Sequence, residues 1–258
     1  AYLRECMDCS VVAFDIECVN HQVHCISFAK SPTDCMSVPF VKESGADYWS
    51  LEQEETIWLL IAQLLSDETI MKIGQNLIFD NSFLLQQNNI HVRGPIGDTM
   101  ILHHIMFPDF PKGLDFLCSM HTREPYYKDE GKMWKNPGAN IEQFWTYNCK
   151  DSATAFEIWN ALEPLAKEQG FFKTYLDTVE MFPSLLYMMI RGLVLTLIAW
   201  LQPRKRLREK SRRKKMNLRR WRITRLTRRV LNNVRSTSTF TKELSPISQE
   251  QQVDLQLT

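Results

Sequence analysis

Asp15 and Glu17 stand one residue apart at the end of the apolar run VVAFDI, and theirs is the only Asp-x-Glu in the chain. On a strand, a period of two residues puts both carboxylates on one face, where they can share one cation. Asp80 follows Asn76 by four residues, and Tyr147 precedes Asp151 by four, the only Tyr-x-x-x-Asp present. On helices each of these pairs occupies one face, about a turn apart. Hard oxygen donors suit Mg²⁺ or Mn²⁺, and two such ions about 4 Å apart can generate hydroxide and stabilise the leaving oxygen of a phosphodiester. Taken singly, each acid also fits a strand end or a solvated helix face, and Tyr147 fits a packing aromatic. Their conjunction carries the reading. A carboxylate pair in an apolar strand is costly to bury without a cation, and two acid-bearing helices follow it in order.

The elements that must hold these groups read as an α/β fold. Val11 to Ile16, Val23 to Ala29 and Cys35 to Phe40 are β-branched or apolar runs, with SPTD as a turn, and predict a three-strand meander. Leu51 to Leu65 has helical spacing, and the run Ile70 to Ile73 ending at Gly74 predicts a crossover strand returning to the sheet. Beyond it the pattern predicts a helix from Asn76 to about Asn88, an extended piece near Pro95 and a helix from Asp98 to Met106. Asn76 and Asp98 are the expected N-caps. A short amphipathic helix is expected from Lys112 to Met120, then a long polar loop from Thr122 to Ala139. Ile141 to about Glu168 reads as one long helix, and Phe171 to Arg191 as another that Pro183 should kink. The sum is a mixed sheet, a three-strand meander plus crossover strands, flanked by helices and closed by a helical C-terminal end.

FDIE, NLIFD and YNCKD, in that order, resemble the three motifs of the DEDD exonucleases, in the tyrosine subtype found as the proofreading domain of family A DNA polymerases. The intervening GDTMILHHIMFPDFPKGLDFL is similar to the segment linking the second and third motifs, so the likeness covers about residues 10 to 192. The histidine subtype would need His five residues before the last Asp, where Thr146 stands. The resemblance implies a ribonuclease-H-like fold and two divalent cations, Mg²⁺ or Mn²⁺. It implies that Asp15 bridges both metals, that Glu17 and Asp151 complete the nucleophile-side site and that Asp80 holds the second. Tyr147 would orient or deprotonate the water, and products would be nucleoside 5′-monophosphates. Phe79 matches a position where an aromatic ring contacts the terminal nucleotides, though it also fits a core residue. With Asn76 it is the candidate substrate-binding residue. Cys18 departs from the Thr usual there, a position the family uses mainly through its backbone, so activity is expected to survive.

Charge divides the chain unevenly. Residues 1 to 201 hold 14 Lys/Arg against 26 Asp/Glu, whereas 202 to 258 hold 17 against 4. The acidic part is awkward for a nuclease gripping long DNA alone, because phosphate binding relies on Lys and Arg, and it suits a module fed by another domain. Lys128, Lys132 and Lys135 interleave with Tyr126, Tyr127 and Trp134 on the long loop, a pattern that fits either a grip on single-stranded DNA or a solvated loop. After Gly192 the likeness stops, and between Arg204 and Arg229 there are 15 Lys/Arg and one acid, Glu209. Such a composition predicts a disordered basic tail, read here as the product of a frameshift near residue 192, with a nucleic-acid-binding arm as the alternative. Leu193 to Leu201 is too short to span a bilayer. Seven scattered cysteines favour reduced thiols, and no signal peptide is visible, so the expected home is the cytoplasm of a bacterial or phage-infected cell.

These readings divide the chain into an exonuclease domain over 1–170, the start of a polymerase-like helical region over 171–192, and the tail over 193–258. The expected partners are a single-stranded DNA 3′ end and a polymerase domain of the same or a longer chain, with no membrane. Proofreading hydrolysis of DNA is the leading function. A stand-alone exonuclease trimming RNA 3′ ends and a non-catalytic nucleic-acid-binding remnant are the alternatives.

Overall fold

Alternation along one strand organises the molecule. In the computed structural model, which describes residues 1–125, 127 and 140–192, β1 (Val11–Val19) is the middle strand of a five-stranded sheet of order β3-β2-β1-β4-β5. Its Val12, Phe14 and Ile16 enter one buried cluster, while Ala13 enters a second. Successive strand residues face opposite sides of the sheet, so Asp15 and Glu17 lie on the Ala13 face.

The meander is as expected: β1 pairs antiparallel with β2 (Gln22–Ser31), and β2 with β3 (Asp34–Pro39). β1 runs three residues past the apolar stretch because Val19 pairs with Gln22 across a two-residue turn. Asn20 and His21 both have positive φ there, the geometry that matches the twist of paired strands. β4 (Met71–Gly74) and β5 (Ile96–Asp98) add in parallel on the other side. The β1–β4 ladder covers only Val11 to Ala13, so beyond Ala13 the β4-facing edge of β1 is available to other partners.

Helices α1 (Tyr2–Met7), α2 (Leu51–Ser66) and α3 (Leu77–Asn88) contribute Leu3, Cys6, Ile61, Leu64, Leu65, Leu77 and Leu84 to the first cluster. On the opposite face α4 (Thr99–Met106), α5 (Leu114–His121) and α6 (Ile141–Glu168) bring Leu102, Leu117, Ala155, Ile158, Trp159 and Leu162 against Ala13, Ala29 and Ile73. Each buried Leu, Ile or Phe contributes about 1.5 to 3 kcal/mol. α2 begins with a capping box between Ser50 and Gln53, and α6 with Asn140, whose side chain accepts from the Glu142 amide.

Two local expectations are corrected. The segment from Phe171 to Arg191 is two helices, α7 (Phe172–Val179) and α8 (Phe182–Arg191), with Pro183 in the first turn of α8. A proline there loses no helical hydrogen bond, so it starts a helix where a kink was expected. Asn76 does occupy the N-cap position of α3, but in a left-handed conformation and without a side-chain cap bond. The capping group is Asp98, whose carboxylate accepts from the amides of Asn76 (3.3 Å), Leu77 (2.8 Å) and Ile101 (3.1 Å), and so serves α3 and α4 together. Tyr126, Lys128, Lys132, Trp134 and Lys135 of the long loop, and the basic tail, lie outside the described residues. Among the described residues no helix is long and apolar enough to cross a membrane.

Candidate active site

β1 and α6 bring three carboxylates together. One oxygen each of Asp15, Glu17 and Asp151 lies within 4.8 Å of the other two, with Asp15 and Glu17 half-buried and Asp151 buried. Each like-charged pair at that spacing costs about 3 kcal/mol at an effective dielectric of about 20. A divalent cation converts that repulsion into attraction, and the donor set, all hard oxygen without His or Cys, fits Mg²⁺ or Mn²⁺.

Asp80 reaches the same strand from α3. Its Oδ1 accepts from the Ile16 amide at 3.1 Å, on the edge of β1 that β4 leaves open and between the two β1 acids. Its carboxylate stands outside the group of three but close enough to feel Glu17. Burial pushes the pKa of Asp80 up to about 8, the Ile16 hydrogen bond opposes this, and repulsion from Asp98 and Glu17 adds to it. All four acids singled out in the sequence thus meet around β1.

Tyr147 is half-buried and hydrogen-bonded to Asp151. Burial first, then the charges of Asp151, Glu17 and Asp15, raise its pKa well above that of an ordinary phenol. It therefore stays protonated and acts as a donor at neutral pH. Cys18, at a register shift between β1 and β2, has its thiol pushed up to about 11 by burial and by Glu17, Asp80 and Asp15. Phe79 is 45% exposed beside Asp80, with Phe83 as its ring neighbour at 6.1 Å. That exposure removes the core reading for Phe79. Asn76 is partly buried at the start of the same helix.

Two residues contact the acids beyond those singled out as site residues: Asn148, which was missed, and Tyr127, which was read as part of a DNA grip or a solvated loop but is buried against Asp151. The Tyr127 hydroxyl donates to Asp151 Oδ1 at 2.7 Å and lies 2.9 Å from Thr154 Oγ1, and its ring meets that of Tyr147 edge-on at 5.8 Å. A tyrosine in a polar loop carries no local signal of such a contact. Asn148 donates from Nδ2 to Asp15 Oδ2 at 2.9 Å. It did leave a trace: Phe144, Asn148, Asp151 and Ala155 are all buried at helical spacing on α6, and a polar residue on a core stripe needs a partner.

A mixed sheet wrapped by helices, with acids converging on its middle strand, is an arrangement consistent with the ribonuclease-H-like exonuclease fold. Residues 1–167 match the 3′-5′ exonuclease family, and the chain belongs to it. No curated protein sequence matches significantly. Among solved structures, NrnC of Brucella melitensis superposes with a TM-score of 0.53 and 16% identity, over 74% of this chain and 90% of that one. RNase D of Escherichia coli, an exoribonuclease involved in structured RNA processing, gives 0.56 and 18%, over 75% of this chain and 48% of its own. The catalytic core of RRP6 from Trypanosoma brucei gives 0.56 and 13%, over 70% and 48%. At such identities the likeness shows the fold.

Proposed function

We propose that this chain hydrolyses single-stranded DNA from the 3′ end to nucleoside 5′-monophosphates with two divalent cations, as the proofreading part of a family A DNA polymerase. The observation that carries this reading is the meeting of Asp15, Glu17 and Asp151 within 4.8 Å, with Asp80 bonded to the amide between the first two. Asp15, Glu17 and Asp151 would hold one cation, and Asp80 with Asp15 the second. Bound Mg²⁺ or Mn²⁺ supplies hydroxide at neutral pH and charge stabilisation at the leaving oxygen. The rest falls to the protein. Tyr147, beside Asp151, would orient or deprotonate the attacking water. Phe79 offers an exposed ring for stacking of the terminal base, and Asn76 stands at the start of the same helix. The scarcity of cations in residues 1 to 201 supports a domain fed by a polymerase region, and 171–192 is read as the start of that region.

A second reading has support from the structural neighbours. RNase D is an exoribonuclease with the same fold, and NrnC, also of this fold, has been seen with bound Mg²⁺ and with pGG, which supports a stand-alone exonuclease trimming RNA 3′ ends as the second reading. The convergence of all four acids speaks against a non-catalytic remnant. The deciding experiment incubates the full chain with 5′-labelled single-stranded DNA and RNA, with Mg²⁺ or Mn²⁺, beside Asp15→Ala. A ladder shortened from the 3′ end, stronger on DNA and absent with Asp15→Ala, is the expected result. Preference for RNA moves the assignment to the second reading, and no metal-dependent shortening by folded protein ends both.

A further inference from the structure

We propose that Asn148 is a positioning residue for Asp15, setting that carboxylate before a cation binds; this rests on the metal-dependent reading of the site. Asn148 is fully buried, one residue after Tyr147 and three before Asp151. A buried amide must satisfy an acceptor oxygen and a donor nitrogen, and here both ends are met. Ser37 Oγ on β3 donates to Asn148 Oδ1 at 2.9 Å. Nδ2 donates to Asp15 Oδ2 at 2.9 Å and to the Asp15 carbonyl at 3.2 Å. Ser27 Oγ on β2 donates to the Asn148 backbone carbonyl at 2.8 Å. Side chain and backbone of one residue therefore tie α6 to three strands.

The Asp15 carboxylate and carbonyl, which only accept, decide which way the amide faces, and the Ser37 hydroxyl pins its other end. Turning the amide over would set Oδ1 against the Asp15 carboxylate, acceptor against acceptor, and leave Nδ2 facing the hydroxyl. With the amide held, Asp15 has one oxygen committed to a neutral N–H and its rotamer is fixed. A neutral donor is the right kind of partner. Lysine or arginine in its place would cancel the charge that attracts the cation, whereas the amide orients the carboxylate and leaves the charge intact. Because Asn148 shares a helix face with Asp151, the same bond also sets how far the Asp15 carboxylate stands from that of Asp151.

The test reads metal binding directly on the full chain, by Mn²⁺ titration followed by electron paramagnetic resonance, and separately the Mg²⁺ concentration for half-maximal exonuclease rate. Asn148→Ala is expected to weaken Mn²⁺ binding about tenfold and raise the Mg²⁺ midpoint by a similar factor, with most of the rate recovered at saturating Mg²⁺. Ser37→Ala, which touches no acid, should shift both in the same direction by about two- to threefold. Ser37→Thr, which keeps the hydroxyl, should restore the wild-type values. A purely structural role would lower stability and rate at every Mg²⁺ concentration without moving the midpoint. Unchanged Mn²⁺ affinity in Asn148→Ala overturns the proposal. Should that variant not fold, equal midpoints in Ser37→Ala, Ser37→Thr and wild type overturn it as well. Wild-type protein that binds Mn²⁺ but cleaves neither DNA nor RNA defeats the exonuclease reading, while the Mn²⁺ comparison still decides the role of Asn148.

Discussion

Asp80→Asn should make the metal-free protein more stable as it destroys the site. Asp80 is 4% exposed, and the asparagine keeps an oxygen for the Ile16 amide while removing the ionisation. A carboxyl whose pKa goes from 3.8 to about 8 on folding holds its proton more tightly in the folded chain. The stability it contributes is therefore full below pH 3.8 and is lost as pH rises towards 8. At about 1.4 kcal/mol per unit the limit over that range is about 6 kcal/mol. The variant loses the repulsion from Asp98 and Glu17 along with the charge, but it buries an amide NH2 in place of a carboxylate oxygen, and about 3 kcal/mol is the expected net effect at pH 8. For a domain of this size that corresponds to about 8 °C in Tm. Urea unfolding of the full chain in EDTA at pH 5, 6.5 and 8, followed by tryptophan fluorescence, measures it. The two proteins should be closest at pH 5 and furthest apart at pH 8. Saturating Mg²⁺ should narrow the gap at pH 8, because it compensates the wild-type charge. A variant no more stable than wild type at pH 8, or a gap independent of pH, refutes the argument.

Two further outcomes follow from single contacts. Phe79→Ala should raise KM for single-stranded substrate about tenfold, from the loss of one stacked base, with kcat little changed, and Phe79→Trp should retain wild-type KM; steady-state kinetics with an unaltered KM in Phe79→Ala would remove the stacking role. Tyr175→Phe removes a buried hydroxyl that accepts from the Asp98 amide and donates to the Ile96 carbonyl, both at 2.7 Å. Two buried backbone groups lose their partner, so urea unfolding should show a loss of about 2 kcal/mol, and an unchanged midpoint would contradict it.

What could be read from the sequence was local and periodic. The alternation of Val12, Phe14 and Ile16 with Ala13, Asp15 and Glu17 gave the strand and its two faces, and the α6 stripe from Phe144 to Leu162 gave the helix that faces them. What escaped was set by partners distant in the chain. Asn76 has the composition of an N-cap, yet the carboxylate that caps α3 belongs to Asp98, 22 residues further on. Pro183 carries its steric rule in any context, but whether it kinks a helix or starts one depends on where the preceding turn ends. The contacts of Asn148 and Tyr127 with the acids show only once β3 and α6 lie beside Asp15 and Tyr127 is brought to Asp151 and Thr154 on α6. Charge and spacing pointed to the acids themselves because burying a carboxylate is expensive wherever it occurs, whereas a neutral amide or phenol announces itself only through its neighbours.

The bond from Asn148 to Asp15 closes a loop of 133 residues, and that from Ile16 to Asp80 one of 64. The parts of this site therefore come into being at different times. As the chain leaves the ribosome, the sheet and α3 can form while β1 carries two acids with only Asp80 for company. The third member of the cluster arrives when α6 emerges and docks, and long-range contacts of this kind form late because closing the loop costs entropy before any contact repays it. A nascent or truncated chain that ends before Ile141 lacks Asp151 and the helix that covers one face of the sheet, and so cannot assemble the three-carboxylate cluster. Metal affinity, followed during refolding, would serve as a clock for the last step of assembly.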